Sequence, residues 1–177
     1  MINELFFNSP KRTYALLMIA GIGMMGIALF MENVLILKPC MLCYLQRFFT
    51  ILLGLIGFIG FVHNPTKVNT FKVYLITALL SALLGACFSL RQLYLQSLPA
   101  DLVPSCAPDI GYLIDSLPFV EVLMMAIQGD GNCAEVMWSF LGVSIPGWTL
   151  IAFGVMAIWL LRSLWLANEI HSQKLLR

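Results

Sequence analysis

The chain has 177 residues, of which 60% are hydrophobic and 11% are charged, and its mean hydropathy is +0.91. Soluble globular domains carry about 25% charged residues, so this composition excludes that class and predicts one integral membrane domain over residues 1–177. The net charge of +1 comes without a basic cluster, which argues against nucleic-acid binding.

Four apolar segments are predicted to cross the bilayer. In chain order they cover residues 13–31, 41–62, 73–90 and 146–166. Each is long enough to cross a hydrocarbon core of about 30 Å as a helix. The first is too long for the apolar region of a signal peptide, so we expect a retained helix rather than a removed signal peptide. The sequence therefore predicts an all-α membrane protein, a four-transmembrane-helix bundle with a long loop at residues 92–145.

Small residues recur in the second and third segments. Gly54, Gly57 and Gly60 mark the second, and Ser81 with Gly85 forms a small-x-x-x-small pair in the third. Such residues allow helices to approach closely in a membrane, although glycine is also common in membrane helices generally. The pattern is consistent with close helix packing and with ordinary composition.

The basic residues indicate the orientation of the chain. Seven of the ten lysines and arginines precede segment one, lie between segments two and three, or lie near and beyond the end of segment four: Lys11, Arg12, Lys67, Lys72, Arg162, Lys174 and Arg177. Residues 92–161 contain no lysine or arginine but six acidic residues, among them Asp109. The positive-inside rule therefore predicts cytoplasmic N- and C-termini and places the loop at residues 92–145 in the periplasm.

Within the loop, the apolar run at residues 117–127 is too short to span a membrane. Pro118 suits the first turn of a helix, and Gly129 and Gly131 can end one. We expect a short helix that lies in the membrane interface. A re-entrant or partner-binding segment is the alternative.

Four of the five cysteines form two pairs that lie in different parts of the predicted fold. Cys40 and Cys43 form a C-x-x-C at the start of the second segment, and Cys106 and Cys133 lie in the loop. Two thiol pairs at two depths suggest a path for electrons from a water-facing partner into the bilayer. The fifth cysteine, Cys87, lies midway along the third segment, and we assign it no role.

A C-x-x-C can also be half of a zinc site, but zinc needs about four nitrogen or sulfur ligands. Both histidines, His63 and His171, are predicted to lie on the cytoplasmic side, and a second C-x-x-C is missing. We therefore predict no metal. A bond between Cys106 and Cys133 could brace the loop or exchange with a partner, and exchange requires an accessible sulfur. Spacing alone leaves both alternatives open.

Arg47 lies four residues after Cys43, so a helix places it one turn deeper on the same face. A charge inside a membrane segment is costly and indicates a function. A cation beside a thiol favours the nucleophilic thiolate. The alternative is an arginine that snorkels toward the headgroups.

These residues resemble the disulfide bond formation protein B family, which consists of quinone-linked membrane oxidases of the bacterial cell envelope. The P-C-M-L-C-Y-L-Q-R segment at residues 39–47 is similar to the family's P-C-x-L-C-x-x-x-R. G-N-C-A-E-V-M-W-S-F-L-G at residues 131–142, followed by Pro146 and Trp148, is similar to the segment around the family's last loop cysteine. The resemblance covers residues 13–166.

The resemblance implies a protein-dithiol:quinone oxidoreductase of the bacterial inner membrane. Its partner would be a periplasmic thioredoxin-like dithiol oxidase of the DsbA type, and its electron acceptor ubiquinone or menaquinone. Cys106 and Cys133 would exchange with the partner, with Cys106 forming the mixed disulfide. Cys40 and Cys43 would face the quinone, with Cys43 nearest the ring and Arg47 stabilising both quinone and thiolate.

Two alternative functions remain. Vitamin K epoxide reductase-like oxidases are also helix bundles with a C-x-x-C and a loop pair, but there the loop pair comes first in the chain. A non-enzymatic membrane bundle with one disulfide-stapled loop is the other alternative.

Overall fold

The computed structural model describes residues 10–65, 67–99, 101–108 and 110–175. Asp109 and Arg177, on which the orientation argument draws, lie outside the described residues. The side chains of residues 110 and 168–175, and so those of His171 and Lys174, are likewise not described.

Four long helices form the body of the protein. They are α1 (Pro10–Asn33), α2 (Met41–His63), α3 (Val68–Gln96) and α7 (Ile145–Leu175). Each is long and apolar enough to cross a membrane, with a mean hydropathy of 1.9 to 2.1 over its most apolar stretch. The predicted all-α, four-helix membrane architecture is therefore confirmed.

Helix α3 is longer than the predicted third segment, which ended at residue 90. Arg91, Gln92 and Gln96 interrupt the hydrophobic pattern, but each has a hydrogen-bond partner in the fold. Arg91 donates to the Gln128 carbonyl oxygen, Gln92 donates to the Cys40 sulfur, and Gln96 accepts from Ser144. The helix continues through Gln96, so the loop begins five residues later than predicted.

The helices pack in sequence: α1 on α2, α2 on α3, and α3 on α7. The close approaches occur at the small residues, which favours close packing over ordinary composition as the reason for them. A Cβ atom at Gly57 would lie 2.5 Å from the backbone nitrogen of Met18, and one at Gly85 would lie 2.5 Å from the Phe153 ring. The Ser81 hydroxyl donates to the Phe49 carbonyl oxygen at 3.1 Å. These contacts hold the helix backbones together where larger residues would separate them.

The outward faces of these helices carry large aliphatic side chains. Ile22, Val62 and Ile158 are 64%, 68% and 70% exposed. An apolar surface of this kind is costly in water and favourable in lipid. The chain is thus a multi-pass membrane protein.

The loop contains three short helices and one hairpin: α4 (Ile110–Ser116), α5 (Phe119–Gln128), α6 (Gly131–Ala134), β1 (Ser139–Phe140) and β2 (Val143–Ser144). The predicted short helix is present as α5, which begins after Pro118 and ends at Gly129, where φ is +75°. It buries Val122 and Ala126 and leaves Phe119 77% exposed. Its position relative to a membrane interface stays a prediction.

The loop packs on the end of the bundle where α2 begins. A buried cluster joins residues of α2, α3 and the loop: Cys40, Met41, Leu42, Leu95, Leu113, Val122, Ala126 and Cys133. This packing brings one cysteine of the loop beside one cysteine of the C-x-x-C.

Candidate redox site

The C-x-x-C lies at the N-terminus of α2. Pro39 and an extended backbone at Cys40 keep the chain out of the helix until Met41, and Cys43 falls in the first turn. The two sulfur atoms are 3.0 Å apart, and all five cysteines are free thiols. The positive end of the helix dipole lies at this pair, which favours negative charge on sulfur.

A buried amide contacts both sulfurs. Gln92 Nε2, from α3, lies 3.3 Å from the Cys40 Sγ and 3.5 Å from the Cys43 Sγ and donates to them. Its own oxygen accepts from Gln46 Nε2 at 2.8 Å. Both glutamines are only 4% exposed, so their amides are held by the protein rather than by bulk water.

The amide network continues into α7. Thr149 Oγ1 donates to the Gln46 Oε1 at 3.1 Å and lies 3.2 Å from the Ser89 hydroxyl. Side chains from α2, α3 and α7 therefore fix the orientation of the Gln92 amide. An amide held in this way is a preorganised donor to charge that develops on either sulfur.

Cys133 and Cys40 lie in the same buried cluster, although 93 positions separate them in the chain. The neighbouring thiols of Cys133 and then Cys43, together with burial, raise the pKa of the Cys40 thiol. Reduced Cys40 therefore keeps its proton at neutral pH. The contact connects the loop pair to the membrane pair.

The two loop cysteines differ in exposure. Cys106 is exposed, whereas Cys133 is fully buried. Gly131 lies between them: a Cβ atom there would be 2.9 Å from the Cys106 Sγ and 2.6 Å from the Pro104 carbonyl oxygen. Only a glycine allows the Cys106 segment this close to α6.

Arg47 lies one turn below Cys43, as predicted, and it has a partner that the sequence analysis did not identify. Its guanidinium forms an ion pair with Glu32 and donates to the Ala28 carbonyl oxygen at 3.3 Å. The guanidinium also lies 5.7 Å from the centre of the Tyr44 ring. These contacts tie the cation to the end of α1.

A cavity of about 480 Å³ adjoins the C-x-x-C. Cys40, Cys43 and Arg47 line it together with Gln46 and Gln92, and most of the remaining surface is apolar. Cavities of this size, largely apolar with a few polar groups, are typical of small-molecule sites.

Aromatic residues of the hairpin, of the residue before it and of the start of α7 form one wall of this cavity. Trp138 and Phe140 stack with ring planes 10° apart, and Trp148 Nε1 donates to the Phe140 carbonyl oxygen at 3.2 Å. All three aromatic residues line the cavity. A flat, apolar ring system fits such surroundings.

Among residues 10–65, 67–99, 101–108 and 110–175, no group of three or more His, Cys, Asp or Glu side chains is arranged to hold a metal ion. Cys87 is exposed on α3.

The four paired cysteines and Arg47 were predicted from the sequence. The structure brings Cys40, Cys43 and Cys133 together, with Arg47 on the same cavity and Cys106 on the adjacent segment. Glu32, Gln46 and Gln92 were not predicted. Gln46 and Arg47 follow Cys43 closely, and a polar pair in a membrane segment was the available signal for Gln46. Gln92 and Glu32 lie at the ends of other helices, where polar residues are common.

Comparisons with known proteins identify the family of the chain. The family model described as disulfide bond formation protein DsbB matches residues 10–162. Proteins named disulfide bond formation protein B are 48% identical over 150 residues in Hahella chejuensis and 49% identical over 149 residues in Saccharophagus degradans. These matches cover 84% and 83% of this chain, and 90% and 89% of the relatives. The chain therefore belongs to the disulfide bond formation protein B family.

Proposed function

We propose that this protein reoxidises a periplasmic thioredoxin-like dithiol oxidase of the DsbA type and passes the electrons to a membrane quinone. The observation that carries the proposal is the placement of the four cysteines between the surface of the loop and an apolar cavity. Cys106 is exposed, Cys133 and Cys40 lie in one buried cluster, and Cys43 lines the cavity.

The first exchange takes place at Cys106. A thiolate of the reduced partner attacks the Cys106 sulfur of a Cys106–Cys133 disulfide, so a partner–Cys106 bond forms and Cys133 leaves as the thiolate. Attack by the second partner thiolate releases the oxidised partner and leaves Cys106 reduced. The exposure of Cys106 and the burial of Cys133 favour this direction of attack.

The second exchange moves the electrons inward. Cys133 attacks the Cys40 sulfur of a Cys40–Cys43 disulfide, a Cys40–Cys133 bond forms, and Cys43 leaves as the thiolate. Cys106 then attacks Cys133, which restores the loop disulfide and releases reduced Cys40. The net result is an oxidised loop pair and a reduced membrane pair, with two electrons transferred.

The cavity residues fit a quinone. The aromatic wall of Trp138, Phe140 and Trp148 would hold its ring, and Arg47 with the Gln46 amide would face its oxygens. When bound, a quinone accepts two electrons and two protons and so restores the Cys40–Cys43 disulfide. An acceptor of this kind is needed, because DsbA-type oxidases have potentials near −120 mV and the glutathione pool is more reducing.

The charge pattern supports a bacterial inner-membrane location with cytoplasmic termini and a periplasmic loop. In intact cells under reducing conditions, a membrane-impermeant maleimide is expected to label Cys106 but not buried Cys133. A Cys87→Ser background removes the remaining exposed thiol. Labelling of Cys106 only after permeabilisation would contradict the orientation and the partner proposed here.

Quinone reduction by purified protein tests the proposal. With a reduced thioredoxin-fold dithiol protein as donor, we expect one quinone reduced for each dithiol oxidised, measured by quinone absorbance and thiol titration. Cys43→Ser is expected to abolish turnover, and the matched control Cys87→Ser is expected to retain it. Thiol oxidation without quinone reduction would contradict the acceptor, and no thiol oxidation would leave the stapled bundle as the better interpretation.

A further inference from the structure

Asp130 is a buried carboxylate beside the loop cysteines, with 7% of its surface exposed. Its Oδ1 accepts a hydrogen bond from the Cys133 thiol at 3.0 Å. Its Oδ2 accepts from the Ala107 backbone amide at 3.1 Å and from the Asn132 side-chain amide at 2.6 Å. The carboxylate thus contacts the sulfur that the proposed path uses for inward transfer.

These contacts also join the two segments that carry the loop cysteines. The Gly131 amide donates to the Ser105 carbonyl oxygen at 3.2 Å, and the Asn132 side chain donates to the Ala107 carbonyl oxygen at 3.1 Å. With the Asp130–Ala107 bond, three hydrogen bonds hold the Cys106 segment against α6. The carboxylate is therefore held in a fixed position relative to both sulfurs.

Thiol–disulfide exchange requires the thiolate, and Cys133 has none of its surface exposed to solvent. At neutral pH, where hydroxide is scarce, external bases reach the proton of this buried thiol only slowly. A carboxylate at hydrogen-bond distance from the sulfur meets the geometric requirement for a general base.

We propose that Asp130 is a catalytic residue, the base that takes the proton of Cys133 as this cysteine attacks Cys40. The Cys133–Cys40 bond forms, the Cys40–Cys43 bond breaks, Cys43 leaves as the thiolate with the electron pair, and the proton of Cys133 passes to the Asp130 carboxylate. In the preceding exchange the same group returns a proton to Cys133 when this cysteine leaves Cys106. The inference rests on the proposed electron path, and it adds a residue to it.

The groups that face the carboxylate are hydrogen-bond donors: the Cys133 thiol on α6, the Asn132 amide and the Ala107 amide. Cys40 at the start of α2 contacts Cys133, and Cys106 adjoins Gly131. Among the described residues, the titratable side chain that is hydrogen-bonded to this carboxylate is the Cys133 thiol.

The test uses the full chain with Cys106→Ser and Cys87→Ser, without quinone or partner. The protein is oxidised at pH 4 with one equivalent of oxidant, jumped to a higher pH, quenched with acid and mapped by mass spectrometry. The measured quantity is the rate of relaxation between the Cys40–Cys43 and Cys40–Cys133 disulfides.

Asp130→Asn keeps the shape of the side chain but cannot take a proton. We expect it to slow relaxation about 100-fold at pH 7, as for loss of a general base. At pH 10, where ordinary thiols are largely ionised, the relaxation rate of Asp130→Asn should be less than about tenfold below that of the chain that retains Asp130. Asp130→Glu keeps the carboxylate and should recover part of the rate at pH 7.

Asn132→Ala is the matched control, because it removes hydrogen bonds of the same segment but leaves the carboxylate. Any change that it causes in the relaxation rate should be by the same factor at every pH. If Asp130→Asn does not slow the relaxation, or slows it by the same factor at pH 7 and pH 10, the catalytic role of Asp130 is overturned and the electron path stays intact. Absence of exchange in the chain that retains Asp130 would instead overturn the path, and this inference with it.

Discussion

Replacement of Cys106 by serine is expected to lower oxidation of the dithiol partner by about three orders of magnitude, since the attacked sulfur is lost. The protein should still fold, because Cys106 is exposed and its sulfur contributes little to the buried cluster at this end of the bundle. The measurement is partner oxidation per folded molecule in purified protein.

Cys133→Ser is the complementary variant. When Cys106 carries an oxidised leaving group such as glutathione, a partner whose second cysteine is replaced by serine attacks Cys106 and displaces glutathione. Neither the second partner thiol nor Cys133 is then present to break the partner–Cys106 bond. A Cys106–partner adduct should therefore accumulate, detectable by mass spectrometry of non-reduced samples. If Cys106→Ser lowers stability while activity follows the amount of folded protein, the Cys106–Cys133 bond only braces the loop.

Replacement of Arg47 by methionine is expected to raise the quinone KM about 10-fold to 100-fold. A hydrogen bond to a charged group contributes about 1.5–3 kcal/mol, and every 1.4 kcal/mol is a factor of ten in affinity. Methionine keeps most of the apolar volume and removes the cation. Arg47→Lys keeps the charge but loses the planar fork, so a smaller increase is expected.

The control for this prediction is Arg91→Met, which removes an arginine near the C-terminal end of α3 that contacts the Gln128 carbonyl oxygen. Its quinone KM should stay unchanged. Partner exchange at Cys106 should survive in every arginine variant, because Cys106 lies on the loop. An unchanged quinone KM in Arg47→Met would make Arg47 a boundary residue that serves only to pair with Glu32.

The four membrane helices were predictable because a helix that crosses a bilayer needs a long apolar segment, and each of the four segments contains enough apolar residues to be recognised. The end of α3 was not predictable from hydropathy, because the polar residues Arg91 and Gln92 interrupt the apolar segment. Their partners, the Gln128 carbonyl oxygen and the cysteine sulfurs, are distant in sequence and become neighbours only when the loop packs.

The hairpin that carries Phe140 was also unforeseen. Two-residue hairpin turns favour residues that accept positive φ, and here Leu141 occupies the first turn position with φ of +54°, followed by Gly142 at +77°. Leucine gives no turn signal, and the strands have only two residues each. The aromatic wall of the cavity therefore could not be derived from the sequence pattern.

The cysteine pairs could be identified from spacing and from their two settings, but the contact between the pairs could not. It depends on the packing of Leu95, Leu113 and Val122 around Cys40 and Cys133, which brings the loop onto the start of α2. The unequal exposure of Cys106 and Cys133 has the same origin. Both features are tertiary, and both determine the proposed direction of exchange.

The central claim is that electrons pass between the two pairs through Cys133 and Cys40. It is tested most directly in the chain with Cys43→Ser, Cys106→Ser and Cys87→Ser, in which these two cysteines are the remaining thiols. After mild oxidation in membranes, the account predicts that an intramolecular Cys40–Cys133 disulfide forms in most molecules, identified by peptide mapping under non-reducing conditions. Two free thiols, or bonds only between different molecules, would contradict the account.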